Sequence, residues 1–152
     1  MSDFKELVLG GSRLRLTNKR ACLDADTKFK NPTYLDISPD EGVDVVWDLN
    51  NHPLPFEDNT FDEIYAYNIL EYLASQGNTT FFYEEFDEYH RIIKPNGILH
   101  IIVPEINKPA AWADPGITRV LPPSVFKFLE KTWKLVISRS IGEHMYIKLQ
   151  AI

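Results

Sequence analysis

The chain has 152 residues, the length of one domain with a sizeable core. Its 44% hydrophobic and 25% charged residues are ordinary for a soluble globular protein, and no apolar run approaches the ~20 residues of a membrane span. A net charge of −6, with Lys and Arg scattered along the chain, weighs against a nucleic-acid partner, which needs a concentrated cationic surface.

The modest basic concentration at Arg13, Arg15, Lys19, Arg20, Lys28 and Lys30 reads as a solvated segment, with anion contact as the lesser alternative. The opening residues, Met1 to Glu6, carry no signal-peptide apolar region. A single cysteine, Cys22, excludes an intrachain disulfide and a multi-cysteine metal site. It fits a reducing cytoplasm and reads as a small, partly buried apolar residue rather than a reactive thiol.

In chain order, Leu7-Val8-Leu9 predicts a short buried strand, and Gly10-Gly11 lets the chain turn sharply at its end. A weakly helical or irregular segment follows to Asn31. Pro32 breaks it, and Thr33 to Ile37 predict a second strand. Only Ser38 to Gly42 then link to Val43, whereas a crossover helix needs about a dozen residues. The helix between strands two and three is therefore expected to be missing, with Val43–Trp47 a short, irregular third strand.

Ile64-Tyr65-Ala66 centres a fourth strand that ends at Tyr67-Asn68, where Ile69 to Leu73 begin a helical pattern. Asn78, Thr79 and Thr80 are helix starters. Phe82, Phe86, Tyr89 and Ile93 then mark one helix face, leaving Glu84, Glu85, Asp87, Glu88 and Arg91 on the wet side. Pro95-Asn96-Gly97 is expected to stop the helix, and Ile98–Val103 predicts a central strand. Pro104, Pro109, Pro115, Pro122 and Pro123 crowd the next segment, which predicts a long ordered loop over the sheet or a mobile lid. Ser124 is expected to cap a short helix through Lys131. Trp133–Ser138 and Met145–Gln150, joined around Gly142, predict a closing antiparallel hairpin.

Alternating strands and helices followed by a hairpin predict an α/β sheet with helices on its faces. In such sheets a ligand sits beyond the carboxyl ends of the strands, where strand order reverses. Gly10-Gly11, Asp36, Asp48 and Tyr67-Asn68 are expected to converge there.

Asp48-Leu49, Pro53-Leu54-Pro55-Phe56, Asp58-Asn59-Thr60-Phe61-Asp62-Glu63-Ile64 and Leu70-Glu71-Tyr72-Leu73 form one combined pattern. It continues in Arg91-Ile92-Ile93-Lys94-Pro95-Asn96-Gly97 and the strand Leu99–Pro104. This pattern resembles the middle of the class I S-adenosylmethionine (SAM)-dependent methyltransferases, and the resemblance runs from Tyr34 to Pro104. It implies an α/β, Rossmann-like methyltransferase fold with a mostly parallel seven-stranded sheet. The sheet would end in a C-terminal antiparallel hairpin, and the short link adds the reduced helices between strands two and three. It further implies one SAM-binding domain over residues 1–152, with SAM as cofactor, S-adenosylhomocysteine (SAH) as product and no metal. Three positions depart from the family. Ser12 stands where many glycine motifs have a further glycine. Tyr72 stands where many members have His. In Ala113–Arg119, similar to an Asp-Pro-Thr-His segment, Ile117 or Thr118 occupies the His position.

For such a cofactor, the ribose diol wants a carboxylate at a strand end, and Asp36, followed by Ile37, is placed for it; otherwise Asp36 caps a turn. Asp48 with Leu49 matches the family's adenine-contacting position; otherwise Asp48 bonds its own backbone in a turn. Gly10 and Gly11 offer backbone to the methionine end. Tyr67 and Asn68 face the sulfonium, unless Asn68 caps the turn after it. The acceptor-side candidates are Glu105, Trp112 and Asp114, with Trp112 equally readable as a packing anchor.

Methyl transfer from an activated cofactor relies mainly on alignment, and a general base is optional. The four histidines show no metal-ligand spacing; His90 and His100 read as structural and His52 as solvated. The leading reading is SAM-dependent methyl transfer to a small-molecule or glycan-type acceptor. A degenerate methyltransferase fold that only binds a partner is the second. An unrelated nucleotide-binding α/β domain is the third, and it leaves Pro53–Phe56 and Phe61-Asp62 without a purpose. An exposed edge or the Trp133 hairpin offers a dimer surface, but the sequence does not choose an oligomeric state.

Overall fold

The computed structural model describes residues 3–14 and 28–152. Arg15, Lys19, Arg20, Cys22 and most of the segment expected to be weakly helical before Asn31 lie outside the described residues. Seven strands make one sheet: β1 (Glu6–Leu9), β2 (Pro32–Asp36), β3 (Val45–Val46), β4 (Phe61–Tyr67), β5 (Ile93–Pro104), β6 (Trp133–Ile141) and β7 (His144–Ala151). Their order is β3-β2-β1-β4-β5-β7-β6. β1 to β5 pair in parallel, and β7 lies antiparallel between β5 and β6. This is the mostly parallel seven-stranded sheet with a C-terminal antiparallel hairpin that the sequence pattern implied.

The two faces follow from strand alternation. Leu7, Leu9, Ile64, Ala66, Leu99, Ile101, Ile147 and Leu149 bury on one face, and Val8, Tyr34, Tyr65, Ile102 and Tyr146 on the other. Helix α1 (Thr79–Ile92) covers the first face through Phe86, Tyr89 and Ile92. The Asn78 side chain caps it by accepting from Phe81 N at 3.0 Å.

The chain departs from the sequence expectation on this helix. Glu85 and Glu88 are buried, not on the wet side. Glu85 takes both nitrogens of Arg119 at 2.8 and 2.9 Å and the Tyr89 hydroxyl at 3.0 Å. Glu88 accepts from Leu54 N at 2.7 Å and is paired with Arg91. Arg91 in turn donates to the carbonyls of Phe56 (2.8 Å) and Leu54 (3.2 Å). One turn of α1 thus clamps the Pro53–Phe56 loop by its backbone, which gives the Pro-Leu-Pro-Phe and Arg91 motifs a shared structural reason.

The helix ends at Ile92, yet Pro95-Asn96-Gly97 lie inside β5 rather than in a separating loop. Pairing with β4 jumps from Phe61↔Ile93 to Glu63↔Ile98, and Asn96 takes a left-handed φ of 64°. A proline without an N–H is tolerated at such an irregularity. Between β2 and β3 there is no helix, as the short link predicted. Asp44 closes that link by accepting from Tyr34 N at 2.9 Å and pairing with Arg13 at 2.9 Å.

The proline-rich loop after β5 packs against the rest of the chain. It contains the short helix α2 (Ala110–Ala113) and is tied down by Thr118 N to Glu71 O at 2.9 Å and Val120 N to Gln76 Oε1 at 2.8 Å. A 3₁₀ segment, Pro123–Leu129, follows; Ser124 does not cap it, and a proline begins it instead.

Candidate functional site

Strand order reverses between β1 and β4, which are neighbours in space. The pairings Leu9↔Leu35, Leu9↔Ala66 and Asp36↔Val46 set four strand ends at nearly one level. Asp36 and Tyr67 end β2 and β4, Gly10 follows β1 and Asp48 lies two residues beyond β3, so these sequence-predicted cofactor residues gather at the carboxyl edge.

Gly10 turns there with a φ of +71°, and its N–H donates to Leu35 O at 2.8 Å. A Cβ at this position would stand 2.8 Å from Ile69 Cγ1. The backbone of Gly10 thus packs directly on the residue after Asn68, as only glycine allows. Gly11 is buried beside it.

Asp36 is half-buried, and its Oδ1 accepts from Ser38 N at 3.0 Å, a turn contact through one oxygen of the carboxylate. Ile37, next to it, is 65% exposed, an apolar side chain at a strand end with little packed on it. Asp48 also forms a turn: Oδ1 accepts from Asn50 N at 2.9 Å and Asn50 Nδ2 at 3.0 Å. Leu49 is buried in the core. Tyr67 is half-buried. Asn68 is exposed in a left-handed conformation, φ 54°, with its N–H on Ile102 O. It does not cap the next 3₁₀ turn (Leu70–Tyr72), which has no side-chain cap.

The acceptor-side candidates each have a partner of their own. Asp114 accepts from the Tyr72 hydroxyl and from Gly116 N at 2.8 Å. That contact pushes the Tyr72 phenol up to about 12 and holds the Asp114 carboxyl below its ordinary range. Trp112 is 66% exposed with its indole N–H on Ile106 O, so it is not a packing anchor. Glu105 turns toward β6, where Ser140 donates to it at 3.1 Å.

Two features escaped the sequence reading. Glu71 is buried, and its Oε1 has no hydrogen-bond partner among the described residues. Burial pushes its carboxyl up to about 7, with Arg119 pulling the other way. It lines a narrow cleft with Val103, Pro104, Ala111, Ile117 and Arg119. Its position between Leu70 and Tyr72, in a run closed by Leu73, was the available signal. The second is Asn50: while bonded to Asp48, it also accepts from Ala74 N at 2.8 Å. It thereby joins the end of β3 to the segment after β4.

The histidines are structural rather than clustered. His100 stacks on Tyr65 at 4.6 Å and contacts the Tyr146 hydroxyl at 2.7 Å. His90 packs edge-on against Trp133. His52 is not solvated as expected: it stacks on Phe81, with Nε2 buried. Among the described residues, no group of three or more His, Cys, Asp or Glu is placed to hold a metal ion, and no helix is long and apolar enough to cross a membrane.

A family model described as a methyltransferase domain matches residues 19–101. A sequence search of curated proteins gives no significant match. Solved structures with this fold include a SAM-dependent methyltransferase from Archaeoglobus fulgidus, with TM-score 0.68 and 12% identity over 97% of this chain and 86% of that one. The Haloferax volcanii protein solved with the Trm112 methyltransferase activator gives 0.69 and 14%, over 99% and 83%. The N-methyltransferase NodS from Bradyrhizobium japonicum WM9, solved with SAH, gives 0.61 and 15%, over 97% and 78%. At these identities the structural likeness speaks for the fold, and the sequence match, spanning more than half of the chain, supplies the family. The chain belongs to the methyltransferase-domain family.

Proposed function

We propose that the chain acts as one domain that methylates a small-molecule or glycan-type acceptor, releasing SAH, with no metal in the reaction. The observation that carries this reading is the gathering of Asp36, Ile37, Asp48 and Asn68 where strand order reverses. The donor set suits the cofactor. Asp36 offers a carboxylate to the ribose diol, and Ile37 an exposed apolar side chain to the base. Asp48, whose Oδ1 already holds Asn50, has Oδ2 to accept from the adenine amino group. Gly10 and Gly11 present backbone to the methionine end. Asn68, exposed just after β4, would accept from the ammonium through its side-chain oxygen.

When bound, SAM supplies a methyl group already activated on a sulfonium. The chain's own residues then align the acceptor and exclude water, with binding and orientation as the main catalytic contribution. The net charge of −6 supports an uncharged or cationic small acceptor over a nucleic acid.

Calorimetric titration of SAM and SAH tests the assignment. Asp36→Ala is expected to weaken both by about 1.5–3 kcal/mol, the range for a hydrogen bond to a charged group. Unchanged affinity removes Asp36 from the site. Asp48→Ala is expected to cost more for SAM than for an analogue lacking the adenine amino group. Equal losses for the two would take Asp48 off the base.

A further inference from the structure

A cavity of about 270 Å³ opens between the segment leading into α1 and the chain from Arg119 to Phe128. None of the cofactor candidates lines it. A cavity of about 150 Å³ already holds benzene, so this one has room for a single substituted ring. Phe82, Tyr83 and Phe128 give it aromatic surface, and Phe128 is 70% exposed, which no packing need of the fold explains.

The polar lining has a definite character. Arg119 is the one charged residue in it, and its guanidinium is closed off by both Glu85 oxygens and by Leu70 O at 2.8 Å. Gln76 spends its side-chain oxygen on Val120 N, and Asn78 spends its own on Phe81 N. Those bonds fix which end of each amide is which. The two NH2 groups, on exposed residues of the cavity wall, have no protein partner among the described residues and are open to a ligand. The cavity therefore offers aromatic surface and oriented hydrogen-bond donors, with no uncompensated charge.

Its wall begins one residue after a contact that reaches back to Asp48. Asp48 holds Asn50, Asn50 holds Ala74 N, and Ser75, the next residue, is on the cavity wall. We infer that this cavity takes the ring of the methyl acceptor: one uncharged ring carrying hydroxyl or carbonyl oxygens. Its role as the acceptor's cavity rests on the function proposed above; the binding of such a ring does not.

The test is a ¹⁵N–¹H correlation titration of the full chain, reading the side-chain NH2 signals of Gln76 and Asn78. The probes are methyl β-D-glucopyranoside, 4-methoxyphenol and benzoate. Saturable shifts with one of the two neutral rings, and none with benzoate, are expected. The neutral ring that binds tells a carbohydrate acceptor from an oxygenated aromatic one. Asn78→Asp and Gln76→Glu keep the oxygen that Phe81 N and Val120 N require but remove the donors. Each is expected to weaken the bound probe about tenfold with SAH affinity and thermal midpoint preserved. No shift with either neutral ring, equal shifts with benzoate, or undiminished binding by both variants would overturn the inference. SAH is titrated separately: loss of SAH binding with ring binding intact defeats the proposed function, and the reverse defeats the cavity assignment.

Discussion

A carboxyl as buried as that of Glu71 makes stability depend on pH. Its ordinary value is 4.5, and in the fold it rises to about 7. Between those values the folded chain holds a proton that the unfolded chain has released. Glu71's contribution to stability therefore falls as pH rises from about 4.5 through 7, and the full cost, on the order of 3 kcal/mol, is present above 7. Glu71→Gln removes the ionisation. It is expected to raise stability toward denaturant at pH 8 and to change little at pH 4. The same effect at both values would mean that Glu71 titrates normally. Gly10 was legible as a turn residue, but its contact with Ile69 was not, because that contact comes from a distant strand end. Gly10→Ala is expected to destabilise by about 1–3 kcal/mol, through a disfavoured positive φ and the collision with Ile69. A thermal midpoint equal to wild type would show that Ile69 yields freely.

Helix α1 shows what periodicity reads and what it misses. The apolar stripe and the Asn78 start were visible from spacing alone. The burial of Glu85 was not, because a charge on a helix is read as solvent-facing unless its partner is known. That partner, Arg119, sits in the proline-rich loop. The same pair decides whether that loop is fixed: Arg119 holds Glu85 and Leu70 O, while its neighbours Thr118 and Val120 bond Glu71 O and Gln76. Arg119→Met leaves Glu85 buried with the Tyr89 hydroxyl but without its counter-charge. It is expected to cost about 3–5 kcal/mol and to open the loop to limited proteolysis. Adding Glu85→Gln is expected to restore part of the stability. An Arg119→Met chain as stable and as protease-resistant as wild type would show that the pair does not hold the loop.

At the scale of the molecule, the sheet was legible from its links. A five-residue connection forbade a crossover helix between β2 and β3, and Gly142 marked the β6–β7 turn. Neighbouring strand ends at one level then bring Gly10, Asp36, Asp48 and Tyr67 together without any of them touching in sequence. The acceptor side was less legible. Glu105, Trp112 and Asp114 are legible only as polar or aromatic loop residues; their partners, Ser140, Ile106 O and Tyr72, follow from the loop's folding. The donors of Gln76 and Asn78 become notable only once their oxygens are seen to be taken. Mapping SAH onto the backbone amides by ¹⁵N–¹H correlation decides whether SAM binds at the strand reversal. Shifts concentrated at Gly10, Gly11, Ile37, Leu49 and Asn68, with the β6 edge unmoved, are the predicted result. A folded chain whose amides do not respond to SAH, or respond only away from those strand ends, would contradict it.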